Sequence, residues 1–288
     1  MAVVLREAQL ELSFDEKRRI EARPIVKWAG GKWQLLPVFS LYFPSPSQID
    51  RYFEPFLGGA AVFFHLQPPR SFLSDSNAEL IEVYQVVQSQ VEALLLSLRQ
   101  HRNERDYYYR LRAIDPETLT PVERASRLIY LNRTCYNGLY RVNSAGKFNV
   151  PFGRYANPRI CDEEGLRAAS LALQGARLFV ADFEDALADA RSGDFVYFDP
   201  PYYPLSKTSS FTSYTRDRFD EKEQRRLASV YRDLDRRGCY LMLSNSSAPL
   251  IYDLYKGFRV VKVEASRAIS CKGDGRGPVT ELLILNYP

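Results

Sequence analysis

The order in which strand-like and helix-like segments alternate constrains this chain more than any other feature. After Pro24, "IDRYFEPF" reads as a strand, "LGG" as a turn and "AAVFFHLQ" as an apolar helix. "SFLSD" is a second short strand, and "NAELIEVYQVVQSQVEALLLSL" a long amphipathic helix capped by Ser76 or Asn77. Further on, "ARLFVAD", "DFVYFD", "CYLMLS" and "FRVVKVE" read as strands. "DEKEQRRLASVYRDLDRRG" is a helix stopped by Gly238, and the chain finishes on strand-like "VTELLILNY". Repeated β–α units need crossover connections, so the expected class is α/β, a mostly parallel sheet with helices on both faces. The last two strands can form an antiparallel edge.

Between about residues 99 and 163 this rhythm breaks. "SRLIYLNRTCYNGLYRV" runs from helix to strand, "NSAGK" turns at Gly146, and "FNVPFGRY" returns, which is a hairpin signal. From His101 to Arg159 there are eleven Lys and Arg against five acids, interleaved with nine Tyr and Phe. Basic residues among aromatics suit phosphate contact and base stacking. A solvated helical face fits the same composition equally well, and the whole-chain charge of +4 does not by itself announce a polyanion partner.

Several classes are disfavoured. The four cysteines are scattered with no C-x-x-C pair, which points away from a disulfide framework or a zinc site and fits a reducing cytoplasm. Only His65 and His101 are present, and His65 sits in apolar "AAVFFHL" where a packing role is expected, so histidine or metal chemistry is not anticipated. No apolar run approaches a membrane span. The start, "MAVVLREAQLELSFDEKRRIEARP", is charged throughout, lacks a signal-peptide core, and reads as a local extension.

Three stretches carry chemistry. "EPFLGGAAVFF" gives strand, glycine turn and helix, where a backbone can approach a ligand closely. One unit later, "LSDSN" puts Asp75 at a strand end, the usual place for an acid that bonds ribose hydroxyls. A nucleoside cofactor and plain α/β packing both remain open at this point. "WAGGKW" lacks the spacing and hydroxyl of a phosphate-binding P-loop, so a cofactor without phosphates fits better. S-adenosylmethionine is such a molecule, and Lys32 can pair with its carboxylate.

The third stretch is "DFVYFDPPYYPLS". Proline ends a strand, which leaves Asp199, Pro200 and Tyr202 at the carboxyl edge where open sheets bind ligands. The exocyclic amine of adenine is a poor nucleophile because its lone pair is delocalised into the ring. If Asp199 and the Pro200 carbonyl accept its two N–H bonds, that lone pair is drawn out of the ring plane towards a methyl donor. The carboxylate then stabilises the charge that develops on nitrogen. Tyr202 would stack on a base flipped from the duplex. Orientation and electrostatics suffice, without a strong general base.

With these residues in hand, the chain resembles the DNA adenine-N6 methyltransferases of the Dam type, in the α arrangement. "KWAGGK", "EPFLGGA", "SDSN", "NRTCYNGLYRVNSAGKFNVPFGRY", "FDPPYYPLS", "FTSY" and "RAIS" occur in the family's order from Pro24 to the C-terminus. The resemblance implies a Rossmann-like sheet that binds S-adenosylmethionine, with an inserted helical and hairpin target-recognition domain. The implied division is residues 1–23 as an extension outside the resemblance, 24–98 and 164–288 as the catalytic domain, and 99–163 as the recognition domain. Trp28 and Lys32 match the methionine end of the cofactor site, with Phe56 and Gly58 beneath it. Asp75 matches the ribose acid, Asp182 and Phe183 the adenine-holding pair, and Asp199 the catalytic acid that also touches the methionine amine. For DNA, Lys27 matches a contact to the outer guanine, Tyr136 the residue that wedges into the stack, and Asn137 a phosphate contact. Leu139, Arg141 and Pro151 match the readers of GATC. The implied partners are double-stranded DNA and, optionally, a cognate restriction endonuclease, with neither metal nor membrane. One departure stands out: the family's F-x-G-x-G ends here in Ala60. Cytosine-N4 and RNA methyltransferases are the rival enzymes, but they tend to carry Asn or Ser where Asp199 stands. A DNA-binding module with a vestigial pocket is the non-enzymatic rival, against which the intact set Lys32, Asp75, Asp182, Asp199 and Tyr202 argues.

Overall fold

Seven strands form one sheet in the order β3-β2-β1-β4-β5-β7-β6. A computed structural model describes residues 21–205, 219–265 and 279–288. Residues 1–20, "FTSY", "RAIS" and Cys271 lie outside the described residues. The strands are β1 (Tyr52–Glu54), β2 (Ser71–Asp75), β3 (Arg177–Val180), β4 (Phe195–Phe198), β5 (Tyr240–Ser246), β6 (Arg259–Ala265) and β7 (Val279–Leu285). The first five are mutually parallel, and β7 runs antiparallel between β5 and β6. The architecture is thus the expected Rossmann-like α/β sheet with an antiparallel edge.

The central strand β4 is apolar at every position because helices cover both faces. Phe195 and Tyr197 of β4 point into one core, while Val196 and Phe198 point into the other. Leu283 and Leu285 of β7 join the first core, Leu282 and Ile284 the second. The first core is closed by α2 (Ala61–Leu66), α3 (Ala78–Ser89), α4 (Val91–Leu98), α6 (Pro121–Thr134) and α7 (Glu163–Leu173). The second is closed by α8 (Phe183–Ala186), α9 (Glu221–Arg236) and α10 (Pro249–Leu254). Short α1 (Leu36–Phe39) and α5 (Arg105–Ala113) complete the helices named here.

Two local expectations change. The long helix is broken at Gln90 (φ −137°, ψ 34°), so α3 and α4 are separate, and Asn77 rather than Ser76 is the cap, accepting from the Leu80 amide at 3.1 Å. The hairpin folds back as expected, but its strand pairing is confined to isolated antiparallel bridges, Cys135 with Phe152 and Val142 with Phe148. Left-handed backbone at Asn137 and Gly138 and the missing amide of Pro151 prevent a continuous ladder. A third, smaller apolar cluster underlies this segment: Tyr108, Tyr130, Leu131, Cys135, Phe148 and Val150. Helix α7 has no counterpart in the alternation read from sequence.

Candidate active site

The strand order reverses between β1 and β4, and the chemistry-bearing acids follow the strands around that point. Asp75 ends β2. One of its oxygens accepts the Gly58 amide at 3.0 Å and the other the Asn77 amide at 2.9 Å, so the carboxylate is fixed across the glycine turn. Burial pushes its pKa up. Gly58 (φ +47°) lies so close to Trp28 that a Cβ there would sit 2.9 Å from Trp28 Cδ1. Ala60, where the family carries glycine, adopts φ 55°, ψ 31°. An L side chain in that left-handed region costs roughly 1–2 kcal/mol, so alanine is the less favourable residue for this turn.

Asp199 follows β4 and is held from two sides. Lys32 Nζ lies 2.8 Å from Asp199 Oδ1, and Ser244 donates its hydroxyl to the same oxygen at 2.9 Å. The Lys32 ammonium also donates to the Gly30 carbonyl and rests 4.7 Å from the Tyr202 ring centroid. Tyr202 in turn donates its hydroxyl to Glu281 at 2.7 Å. Burial, then the charges of Asp199 and Glu281, hold Tyr202 well above the usual phenol range. It is therefore a neutral ring at physiological pH and no base. Pro200 is buried beside Asp199. The loop beyond it is pinned by Gln224, which donates to the Pro201 carbonyl at 2.9 Å, and by Asn245, which accepts the Tyr203 amide at 3.1 Å. Glu54, at the end of β1, is 2% exposed. It accepts the Tyr52 hydroxyl at 2.7 Å and the Phe63 amide at 3.1 Å. Burial pushes its pKa up to about 8, against those two hydrogen bonds and with help from the charge on Asp199.

Phe56 and Phe183 stack at 5.4 Å, with Phe219 against both. Asp182 caps α8 and is held in a two-pronged pair by Arg226 at 2.8 and 2.7 Å, which lowers its pKa. The same guanidinium lies 4.1 Å from the Phe183 ring centroid.

The residues expected to read DNA lie on another segment. Tyr136 and Pro151 are exposed and Leu139 is half-buried. Asn137 has φ 55°. Arg141 donates from Nε to Asn149 Oδ1 at 2.6 Å. Tyr140, between Leu139 and Arg141, stacks on Trp28 at 5.1 Å and donates to Glu79 at 2.6 Å, joining this segment to the glycine turn. Lys27 lies across Gly138 with its ammonium 4.8 Å from the Tyr155 ring centroid.

The sequence expects Trp28, Lys32, Phe56, Gly58, Asp75, Asp182, Phe183 and Asp199 about a cofactor and Asp199, Pro200 and Tyr202 about the reacting amine; the structure sets Lys32 against Asp199 and Tyr202, Gly58 against Trp28 and Asp75, and Phe56 against Phe183. Sequence reasoning missed Glu54, Gln224, Ser244, Asn245 and Glu281. The available signal was the polar run "SNS" ending the otherwise apolar β5, which is buried at all three positions. The two histidines are structural. His65 hydrogen-bonds Ser40 at 2.8 Å, while His101 meets Tyr107 and Ser126 and burial lowers its pKa to about 4. Among the described residues, no group of three or more His, Cys, Asp or Glu could hold a metal, and no helix is long and apolar enough to cross a membrane.

Residues 28–269 match the family model for D12 class N6 adenine-specific DNA methyltransferases. The chain belongs to this family. It is 45% identical over 280 residues to the type II methyltransferase M1.LlaDCHI of Lactococcus lactis subsp. cremoris, covering 94% of this chain and 98% of that one. Against the type II methyltransferase M.MjaIII of Methanocaldococcus jannaschii the identity is 45% over 291 residues, covering 93% of this chain and 100% of the other. Against a DNA adenine methylase of Escherichia coli it is 35% over 270 residues, with 92% and 96% covered. As a D12-class adenine-specific DNA methyltransferase, the chain has its "DPPY" acid at the centre of the hydrogen-bonded cluster just described, at the sheet's switch point.

Proposed function

We propose that this enzyme methylates N6 of an adenine flipped from duplex DNA, within GATC, using S-adenosylmethionine. The observation that carries the reading is the cluster of Asp199, Lys32, Ser244 and Tyr202 at the carboxyl edge of β4. The cofactor fits the chemistry of the donor set. Asp75 offers carboxylate oxygens for ribose hydroxyls, and Phe56 and Phe183 offer an apolar wall for the adenine. Lys32 has one ammonium donor beyond its contacts to Gly30 and Asp199 for a carboxylate. When bound, S-adenosylmethionine supplies an electrophilic methyl group.

The protein's own part is orientation and charge. Asp199, kept in place by Ser244 and Lys32, accepts an N–H of the target amine together with the Pro200 carbonyl and stabilises positive charge on nitrogen. Tyr202, a neutral ring anchored through its hydroxyl, provides the stacking face for the extruded base. Asp182 and Phe183 hold the cofactor's adenine, with Arg226 keeping Asp182 charged and aimed.

For DNA, we assign Lys27 to the outer guanine, Tyr136 to the wedge, Asn137 to a flanking phosphate, and Leu139, Arg141 and Pro151 to base reading. An arginine that can bond guanine O6 and N7, beside an apolar side chain for the thymine methyl, supports T followed by a C·G pair whose guanine lies on the opposite strand, as in GATC. The separate apolar cluster under the hairpin supports residues 99–163 as the recognition domain, although α6 also packs on the catalytic core. Similarity to proteins named type II methyltransferases supports a cognate restriction endonuclease as partner, and the DNA substrate a cytoplasmic location. Sequencing of plasmid from cells that express the chain tests the reading. N6-methyladenine at GATC is expected, and its absence, or its appearance only at another site, contradicts the assignment.

A further inference from the structure

Asn132, on α6, is 2% exposed, yet the hydrogen bonds of its side chain go to two segments assigned above to DNA contact. Its Oδ1 accepts the Lys27 amide at 2.7 Å. Its Nδ2 donates to the Lys27 carbonyl at 2.7 Å and to the Gly138 carbonyl at 3.0 Å. One buried side chain therefore ties the backbone of Lys27, 105 residues away, to the turn that carries Tyr136, Asn137 and Leu139. The Lys27 stem crosses that turn so closely that a Cβ on Gly138 would stand 2.3 Å from Lys27 Cδ. Gly138 also has φ +63°, so glycine is required there for two reasons.

We infer that Asn132 is a positioning residue for sequence recognition, holding Lys27 and the Tyr136–Leu139 turn in fixed register so that outer-base contact and stack insertion occur as one unit. The inference rests on the reading of Lys27 and this turn as DNA contacts. An apolar core residue at this α6 position would leave three backbone groups without partners, and the two segments would be free to slide past each other. A buried amide that meets all three fixes them instead. Aspartate is nearly isosteric but cannot donate, so it would face the Lys27 and Gly138 carbonyls with lone pairs.

The test compares wild type with Asn132→Ala, Asn132→Asp, Gly138→Ala and Lys27→Met. Methylation rates are measured on the wild type's own site and on duplexes substituted at the outer base pair, with thermal melting alongside. Gly138→Ala displaces the Lys27 stem without touching α6, so it probes the same register if the Asn132 variants fail to fold. The expected result is a loss of outer-base discrimination of about fivefold or more in Asn132→Asp and Gly138→Ala, the low end of one misread base pair. The ratio of the two rates is the readout, because a loss of folded protein lowers both rates alike. Unchanged discrimination in the Asn132 and Gly138 variants, beside a Lys27→Met variant that loses it, overturns the positioning role and leaves the base contact standing. Unchanged discrimination in Lys27→Met overturns both.

Discussion

Replacing Glu54 by Gln should remove a pH dependence of stability that the fold itself creates. Glu54 is buried at the end of β1, where one carboxyl oxygen accepts both the Tyr52 hydroxyl and the Phe63 amide. Its pKa rises from 4.5 to about 8 because burial penalises the charged form and Asp199 adds like charge. A raised carboxyl pKa means the fold prefers the protonated side chain. The favourable contribution is therefore fully present below pH 4.5, is lost as pH rises from 4.5 to about 8, and is absent above that. At 1.36 kcal/mol per pH unit the loss is at most about 5 kcal/mol. Gln keeps an oxygen for both donors and never ionises. The urea midpoints of wild type and Glu54→Gln should thus nearly coincide at pH 5 and diverge by pH 9, with the variant more stable. Titrating groups distant from Glu54 cancel in the difference. A difference that stays constant from pH 5 to pH 9 refutes the argument.

Tyr202→Ala should cost about 1–3 kcal/mol of base stacking, read as reduced turnover and weaker flipping of a 2-aminopurine probe. Tyr202→Phe keeps the ring and loses only the hydrogen bond to Glu281, so it should recover most of that activity. If Phe is as poor as Ala, the hydroxyl anchor matters more than the stack. Asp75→Ala should weaken S-adenosylmethionine binding in calorimetry while the protein stays folded, and unchanged affinity contradicts the ribose role. Arg141→Ala should relax the choice at the final C·G pair, whose guanine lies on the opposite strand, by about 1–3 kcal/mol, measured as rates on GATC and on duplexes substituted there. An equal slowing on every duplex means Arg141 contacts only the backbone.

What is legible in this sequence is whatever is local. "SFLSD" becomes β2 residue for residue, and the acids after β2 and β4 stand where strand ends put them. "IDRYFEPF" shrinks to Tyr52–Glu54 because Pro55 has no amide to extend the ladder. The break at Gln90 depends on how α3 and α4 pack, which periodicity does not record. Partners distant in sequence are illegible for the same reason. Nothing near Asp199 announces Ser244, nothing near Asp182 announces Arg226, and nothing near Lys27 announces Asn132. Each meeting is decided by strand order and helix packing.

The central claim is that Asp199 acts on the target amine and not on DNA affinity. Single-turnover methyl transfer by Asp199→Ala at saturating S-adenosylmethionine, with DNA binding measured on the same preparation, tests it most directly. By analogy with a lost oxyanion-hole donor, the rate constant should fall roughly 10²–10³-fold, while the dissociation constant for the duplex changes by less than about threefold, under 1 kcal/mol. A variant that transfers methyl within a few-fold of the wild-type rate, or one whose defect is entirely in DNA binding, contradicts the account.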